Sequence, residues 1–322
     1  MSLPWKVRAM LRTQTLLTKA RVMPTYEKVV AMPEAKRLAL GASKALVGKI
    51  PSVASDDRRV TTRDGAHIRV RVYRSPAASD QPLLYIHGGG FVVGGIGSCD
   101  HICRRLAHES GAVVVSVEYR LAPGHPFPIP LHDAVDAASW LIERADELGV
   151  DPAKLVVAGD SGGGNLAAAL AISSRDSGRP LAGQLLIYPG IDLSMSLPGI
   201  HAYEGVGLTT ADVRLCTRAY LGDHDPTDPY ASPWYADAVG LPPAMVVTVD
   251  HDPLKYEAEA YVEKLRVAGV SVEHINVADH VHGSLSVPVL FKGIDELYAA
   301  MTSFVRSASG RAGMEGTGST TT

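Results

Sequence analysis

The sequence predicts an α/β fold with a mostly parallel, eight-stranded sheet flanked by helices. Short apolar runs of strand character alternate with helical stretches through the middle of the chain. This alternation is typical of a parallel sheet whose strands are joined by crossover helices. The chain has 322 residues, of which 46% are hydrophobic. It is therefore long enough to bury one large core.

The predicted elements follow one another in a regular order. Val60–Tyr73 is predicted to form a two-stranded hairpin with Arg63-Asp64-Gly65 as its turn. Six further strands are predicted near 83–86, 112–118, 155–159, 184–187, 244–249 and 271–277. Helices are predicted near 99–109, 131–147, 164–175, 254–268 and 289–306.

Both ends of the chain and one internal segment depart from this alternation. The N-terminal region has apolar residues at helical spacing and a second predicted helix, Ala35–Val47. The internal segment carries four prolines around one predicted helix, Thr209–Leu221. The C-terminal residues are rich in Ser, Gly, Thr and Ala, a composition typical of disorder. The predicted division is an N-terminal helical part at 1–50, a core at 51–306 with an insertion near 190–235, and a disordered tail at 307–322.

Composition argues against several classes of protein. A net charge of −3 gives no electrostatic reason to expect nucleic-acid or anionic-membrane binding. No apolar run reaches the roughly 18–20 residues that span a bilayer, so no stable membrane insertion is expected. The three cysteines, Cys99, Cys103 and Cys216, form no disulfide framework, and the first two are expected to be packed thiols. Low cysteine use and the lack of a signal peptide predict a cytoplasmic protein.

The segment Gly159-Asp160-Ser161-Gly162-Gly163 is the most informative motif in the chain. An apolar strand candidate, 155–158, precedes it, and a strong helix former, 165–170, follows it. A serine on such a strand-to-helix turn projects its hydroxyl from the end of the sheet. The motif therefore predicts Ser161 as a nucleophile, which needs a base and a binding site for an oxyanion.

A glycine-rich loop, His87-Gly88-Gly89-Gly90-Phe91, directly follows the strand predicted at 83–86. Glycines let bare backbone approach a ligand closely, and such loops supply oxyanion-hole N–H groups beside a serine elbow. A flexible turn or a phosphate-binding loop are the alternatives. The phosphate alternative is weak because no Gly-Lys-Ser/Thr or Gly-x-Gly-x-x-Gly spacing follows. The residue after the nucleophile, Gly162, is the second predicted source of an N–H donor.

Two loops downstream of the serine offer an acid and a base. Asp250 and Asp252 follow the strand predicted at 244–249, and either could orient a histidine. His280 and His282 follow the last predicted strand. The order serine, acid, histidine is that of a catalytic triad built on a serine elbow. No spacing of histidine and acidic residues typical of a metal site is present.

The motifs together resemble the hormone-sensitive-lipase-like family of α/β-hydrolases, including its bacterial members. The resemblance runs from about residue 60 to 305. It implies an α/β-hydrolase fold with a helical cap, formed by the N-terminal part and the 190–235 insertion. The matching motifs are His87–Gly90, Tyr119–Pro123 with His125–Pro128, Gly159–Gly164, Asp252–Leu254 and His282-Gly283.

The resemblance also implies a role for individual residues. Ser161 corresponds to the nucleophile, Asp252 to the orienting acid and His282 to the base, with Asp250 as the reserve for the acid. His87 and Asp160 are expected to support the site. The implied oxyanion hole comprises Gly88, Gly89, Gly90 and Gly162, of which the last three are the expected direct donors.

The sequence departs from the family pattern at four positions. Gly162 stands where Ala is usual, Tyr256 where Asp is frequent, and Gly124 where Glu is common. Ser284 stands where Phe is usual and is expected to widen or wet the pocket beside the histidine. None of these changes removes a reacting group.

The resemblance implies a serine carboxylesterase that hydrolyses short- to medium-chain acyl esters through an acyl-enzyme intermediate. This chemistry requires no cofactor and no metal. The alternatives are an amidase or deacetylase on the same scaffold and a non-catalytic ligand-binding protein of this fold. The expected partner is a small-molecule ester, and a homodimer formed through the strand near 271–277 is possible.

Overall fold

An eight-stranded sheet forms the centre of the molecule. The structure is a computed structural model that describes residues 5, 8–9, 25–41, 44–202 and 207–315. The strands lie in the order β1-β2-β4-β3-β5-β6-β7-β8. They are β1 Ala54–Thr61, β2 His67–Arg74, β3 Pro82–Ile86, β4 Val113–Glu118, β5 Val156–Asp160, β6 Gly183–Ile187, β7 Ala244–His251 and β8 Val272–Val281.

Strand directions confirm the predicted mostly parallel sheet. β1 and β2 form an antiparallel hairpin, and β2 is also antiparallel to β4. Every other neighbouring pair is parallel. The hairpin turn is the predicted one, since the N–H of Gly65 donates to the Thr62 carbonyl at 2.8 Å. The carboxyl ends of β3, β5, β7 and β8 therefore lie at the same edge of the sheet.

Helices cover both faces of the sheet and connect its strands. In chain order they are α1 Tyr26–Val30, α2 Glu34–Leu38, α3 Lys44–Val47, α4 Ile96–Ser110, α5 Ile129–Glu143, α6 Ala145–Leu148, α7 Gly162–Asp176, α8 Gly199–Ala202, α9 Thr210–Leu221, α10 Lys255–Val267 and α11 Ile294–Glu315. Short 3₁₀ turns lie at Pro152–Lys154, Pro233–Tyr235, Ser284–Ser286 and Pro288–Leu290.

The central strands are apolar on both sides because both faces of the sheet are covered. Successive side chains of a strand point to opposite faces. In β3, Leu84 and Ile86 belong to one apolar cluster, and Leu83 and Tyr85 belong to the other. All four are fully buried. This is why the strands predicted at 83–86, 112–118, 155–159 and 184–187 lie within one residue of the observed bounds, whereas the strand predicted at 271–277 extends to Val281.

The helix predictions were less accurate at their ends. The helix expected over Ala35–Val47 is two short helices, α2 and α3, so that prediction was wrong. The tail expected to be disordered from 307 was wrong for 307–315, which lie in α11. Ala308 is fully buried in the core, which explains why the helix continues beyond the predicted end.

Several predictions concern residues that the structure does not describe or does not test. Most of the predicted N-terminal helix before residue 25, and the tail from 316, lie outside the described residues. β8 lies at the edge of the sheet, as the predicted dimer contact requires. The dimer itself stays a prediction.

Candidate active site

Ser161 lies at the sharp turn between β5 and α7. Its φ of +57° is in the left-handed region, which costs a residue with a side chain some backbone strain. The turn is held because the N–H of Ser161 donates to the Ile187 carbonyl at 2.9 Å. A Cβ atom at Gly159 would lie 2.2 Å from the carbonyl oxygen of Gly163, so only glycine fits there. The predicted elbow is therefore present.

Two hydrogen bonds connect Ser161 to a histidine and an aspartate. His282 Nε2 lies 2.7 Å from Ser161 Oγ, and His282 Nδ1 lies 2.7 Å from Asp252 Oδ2. Asp252 is 1% exposed, and its Oδ1 accepts the N–H of Leu254 at 2.8 Å. Because a carboxylate only accepts, Nδ1 carries the proton and Nε2 is left to accept the serine proton.

The other candidate aspartate, Asp250, lies near the end of β7 and has different partners. Its carboxylate accepts bonds from Asn276 Nδ2 at 2.8 Å, Lys255 Nζ at 3.1 Å and the N–H of Asp279 at 3.1 Å. Burial acts to raise the pKa of Asp250, but these donors outweigh it and lower the pKa to about 2. The geometry therefore separates the two candidates that the sequence left open: Asp252 contacts His282, and Asp250 does not.

His280 lies away from the serine. Its Nε2–H donates to the Lys292 carbonyl at 2.8 Å, and its Nδ1 lies 3.1 Å from Ser284 Oγ. Ser284 is fully buried and does not line the cavity around Ser161. The expectation that Ser284 widens or wets the pocket is therefore wrong, because its hydroxyl contacts His280 instead. His251 contributes only its carbonyl, which accepts the N–H of His282 at 3.2 Å.

The glycine loop after β3 lies beside the elbow. A Cβ at Gly162 would be 3.3 Å from the nitrogen of Gly90, so these two residues are neighbours across the loops. Gly89 has a φ of +118°, and its carbonyl accepts the N–H of Val93 at 3.1 Å. In the described part of the chain, the N–H groups of Gly89, Gly90 and Gly162 have no hydrogen-bond acceptor. These groups are therefore available to a ligand.

Gly88 does not share this availability. Its N–H donates to Asp160 Oδ1 at 3.0 Å, so the inclusion of Gly88 among the predicted oxyanion donors is corrected. The same oxygen accepts the Tyr85 hydroxyl at 2.7 Å. Burial raises the pKa of Asp160. Asp160 thus joins the end of β5 to the glycine loop after β3.

His87 is a buried, neutral part of the loop. Its Nδ1–H donates to the Gly88 carbonyl at 2.8 Å, and its ring stacks on Tyr119 with the centroids 4.2 Å apart. The Tyr119 hydroxyl donates to the His87 carbonyl at 3.1 Å. Burial lowers the pKa of His87 to about 4. These contacts fit a residue that holds the loop, rather than one that transfers protons.

Comparison with known proteins assigns the chain to a family. A family profile for the α/β-hydrolase fold matches residues 83–286. Carboxylesterase NlhH from Mycobacterium tuberculosis is 40% identical over 243 residues, which cover 73% of this chain and 76% of the relative. Ethyl acetate hydrolase from Pseudomonas putida is 36% identical over 288 residues, or 86% of this chain and 89% of the relative.

The chain belongs to the hormone-sensitive-lipase-like family of α/β-hydrolases. A solved esterase structure from Pyrobaculum calidifontis superposes on this α/β-hydrolase with a TM-score of 0.81 and 38% identity. The superposition covers 92% of this chain and 98% of that chain. The likeness therefore extends over nearly the whole fold, beyond the residues that the family profile matches.

In this α/β-hydrolase, Ser161 and His282 line a cavity of about 530 Å³. Its lining includes residues of the N-terminal segment, the glycine loop and the 190–235 insertion. From the insertion, Leu208 lines the cavity, whereas Met195 and Leu215 do not. Sequence reasoning missed several lining residues: Tyr26, Leu40, Phe91, Leu193, Val213, Cys216 and Leu254.

A buried carboxyl group, Glu257, also lines the cavity and was not predicted. Its Oε1 accepts the N–H of Ile191 at 2.6 Å and that of Asp192 at 3.3 Å. Burial raises the pKa of Glu257 to about 8. The only sequence signal was its position three residues after the Asp252–Leu254 motif. Glu257 thus holds the backbone after β6 against the first turn of α10.

Other observations concern ions, thiols and membranes. Among the described residues, no group of three or more His, Cys, Asp or Glu side chains could hold a metal ion. Cys99 and Cys103 are buried free thiols whose sulfur atoms lie 3.8 Å apart, as expected for packed thiols. Within the ranges that the structure describes, no helix is both long and apolar enough to cross a membrane.

Asp252→Asn should lower kcat on the order of 10⁴-fold, because an amide no longer fixes the Nδ1–H tautomer of His282. Asp250→Asn is the matched control, since it makes the same chemical change two residues away. We expect it to leave kcat within a few-fold of the wild type. Steady-state kinetics on one ester checks both. A larger loss in Asp250→Asn than in Asp252→Asn would contradict the assignment of the acid.

Glu257→Gln should reduce the pH dependence of stability. The pKa of Glu257 is raised in the folded protein, so its contribution to stability is complete below the unfolded pKa of about 4.3 and is lost as the pH rises toward 8. Glutamine still accepts the two N–H groups but does not ionise. Urea unfolding between pH 5 and 8 measures the free energy of unfolding. This free energy should fall less steeply with pH in the variant than in the wild type, by up to about 1.4 kcal/mol per pH unit. Glu263→Gln, at an exposed position of α10, is the control. The prediction would be refuted if the free energy of unfolding of Glu257→Gln changed with pH as steeply as that of the wild type.

Proposed function

We propose that this protein is a serine carboxylesterase that hydrolyses short- to medium-chain acyl esters through an acyl-enzyme on Ser161. One observation carries the proposal. The Ser161–His282–Asp252 chain of 2.7 Å hydrogen bonds ends in a cavity where the N–H groups of Gly89, Gly90 and Gly162 are unpaired among the described residues. Ester hydrolysis is also the activity in the names of the relatives.

In the first half of the reaction, Ser161 Oγ attacks the carbonyl carbon of the ester. His282 Nε2 takes the serine proton as the new C–O bond forms. The carbonyl oxygen becomes an oxyanion, which the N–H groups of Gly90 and Gly162 stabilise, with Gly89 as a third donor. Such preorganised donors act best on the charge that develops in the transition state.

Collapse of this intermediate breaks the bond to the alcohol. His282 gives its proton to the leaving alkoxide, and the acyl group stays on Ser161. A water molecule then donates a proton to His282 and attacks the acyl-enzyme. The second collapse releases the acid and returns the proton to Ser161 Oγ. Asp252 stabilises the imidazolium of His282 in both halves and stays ionised throughout.

The dimensions and walls of the cavity favour small, apolar acyl and alcohol groups. A volume of about 530 Å³ lies within the usual range for small-molecule sites, and glycines and apolar side chains form most of its lining. The name of the Pseudomonas putida relative refers to a two-carbon acyl group on a two-carbon alcohol. We infer that the N-terminal segment and the 190–235 insertion act as the cap, since Tyr26, Leu40 and Leu208 line the cavity.

Hydrolysis of 4-nitrophenyl esters from acetyl to palmitoyl tests the proposal, with Ser161→Ala as the matched variant. We expect kcat/KM to peak between two and eight carbons and to fall at least about 10³-fold in Ser161→Ala, because the nucleophile is lost. Thermal unfolding checks that the variant is folded. Undiminished turnover in Ser161→Ala would contradict the mechanism, and a peak at palmitate would contradict the acyl length.

The corresponding 4-nitroanilides separate an esterase from an amidase. An amide requires protonation of a poorer leaving group, so we expect the ester to be hydrolysed far faster than the anilide of the same acid. Ser161-dependent turnover of the anilides alone would replace the proposal with an amidase.

A further inference from the structure

Arg37, in the short helix α2, is a buried cation bound to backbone carbonyl groups. It is 3% exposed. Its Nε donates to the Met32 carbonyl at 3.1 Å, and its Nη1 donates to the carbonyls of Val92, at 2.6 Å, and Ala122. Burial of a charge is costly unless hydrogen bonds compensate for it. The position of those carbonyls therefore depends on Arg37, which sequence reasoning did not single out.

Two hydrogen bonds attach Arg37 to the residues that follow the glycine loop. The Val92 carbonyl is bound by the Arg37 side chain, and the N–H of Gly94 donates to the Arg37 carbonyl at 3.0 Å. Nearby, Glu34 Oε1 accepts the N–H of Leu121 at 2.7 Å, which attaches α2 to the segment after β4. Helix α2 thus holds the segment at Val92–Gly94, whereas Asp160 binds the start of the loop at Gly88.

A chain of hydrogen bonds leads from Arg37 to the oxyanion hole. The carbonyl of Val92 and the N–H of Val93 belong to one peptide unit. That N–H donates to the Gly89 carbonyl at 3.1 Å. The Gly89 carbonyl in turn shares a peptide unit with the N–H of Gly90, which lies next to Gly162. Successive hydrogen bonds polarise one another, so a cation at the first carbonyl strengthens the last donor.

We propose that Arg37 is a positioning residue for the oxyanion hole. It fixes the turn from Gly89 to Val93, and through two peptide units it orients and polarises the N–H of Gly90. Arg37 does not contact the substrate. The inference rests on the proposed function, because it assigns Arg37 to the oxyanion hole that the esterase mechanism uses.

The energetic consequence follows from what an oxyanion donor contributes. Loss of one donor costs about 10²–10³-fold in kcat in other enzymes. Removal of Arg37 misaligns and weakens Gly90 without deleting it, so the expected loss is smaller, about 10–100-fold. Substrate binding before the reaction does not use the oxyanion, so KM should change little. A general loss of folded protein would also lower the apparent kcat at constant KM. It would leave the dissociation constant of an oxyanion-forming inhibitor unchanged, so that constant separates a positioning role from a loss of folded protein.

The experiment compares Arg37→Met and Arg37→Lys with the wild type and with Arg175→Met. Arg175 is the matched control because its Nη1 also donates to two backbone carbonyls, those of Asp237 and Val239, neither of which lines the cavity. Each variant is assayed for kcat and KM on 4-nitrophenyl butyrate and for thermal unfolding. Each is also titrated with an alkyl trifluoromethyl ketone, whose adduct with Ser161 carries an oxyanion.

We expect Arg37→Met to lose about 10–100-fold in kcat and a similar factor in affinity for the ketone, with KM within about twofold. Arg37→Lys keeps the charge and should recover part of both losses. Arg175→Met should keep the wild-type kcat and ketone affinity. If Arg37→Met does not fold, Arg37→Lys decides the matter, because it must still show parallel losses in kcat and ketone affinity.

Three results would overturn the inference. The first is a kcat within twofold of the wild type in both Arg37 variants, and the second is a loss of kcat in these variants with unchanged ketone affinity. The third is an equal loss of kcat and ketone affinity in Arg175→Met. Ser161→Ala, measured in parallel, keeps the two proposals separate. Turnover that survives in Ser161→Ala would remove the esterase mechanism itself. Turnover that is lost there but kept in the Arg37 variants would remove only the role of Arg37.

Discussion

The parallel pairing of β3 with β5 is the constraint on which the site depends. Ile86 of β3 pairs with Gly159 of β5, so both strands end at the same level of the sheet. The glycine loop and the serine elbow therefore start side by side, and Asp160 joins them through the N–H of Gly88. β7 and β8 end at the same edge and bring Asp252 and His282 to the serine. Ligand sites of open α/β sheets generally lie at this edge.

Three buried charged side chains near the site hold backbone segments in place. Asp160 binds an N–H of the glycine loop, Arg37 binds the Val92 carbonyl just after that loop, and Glu257 binds N–H groups after β6. Each such contact offsets part of the free energy lost when a polar group is buried. In return, loops that follow strand ends, which would otherwise move, are fixed within reach of Ser161. Rigid support of this kind is what precise placement of reacting groups requires.

The sequence was sufficient for the sheet and for the residues near Ser161, because both depend on local signals. Continuous apolar runs marked β3, β5 and β6, and glycine spacing marked the elbow and the loop. The choice between Asp250 and Asp252 needed tertiary contacts, since both follow the same strand. Arg37 and Glu257 carried no motif of their own, because their partners are backbone groups distant in the chain. The role expected for Ser284 was wrong for a different reason, because its hydroxyl contacts the His280 ring and does not line the cavity.

Covalent labelling of the nucleophile tests the central claim most directly. The protein would be treated with a 4-nitrophenyl alkylphosphonate, whose phosphorus accepts the nucleophile with loss of nitrophenolate, and then analysed by intact-mass measurement and peptide mapping. The account predicts one phosphonyl group per chain, on Ser161, formed at the rate at which esterase activity disappears. It predicts no adduct in Ser161→Ala. An adduct on another residue, or loss of activity without modification of Ser161, would contradict it.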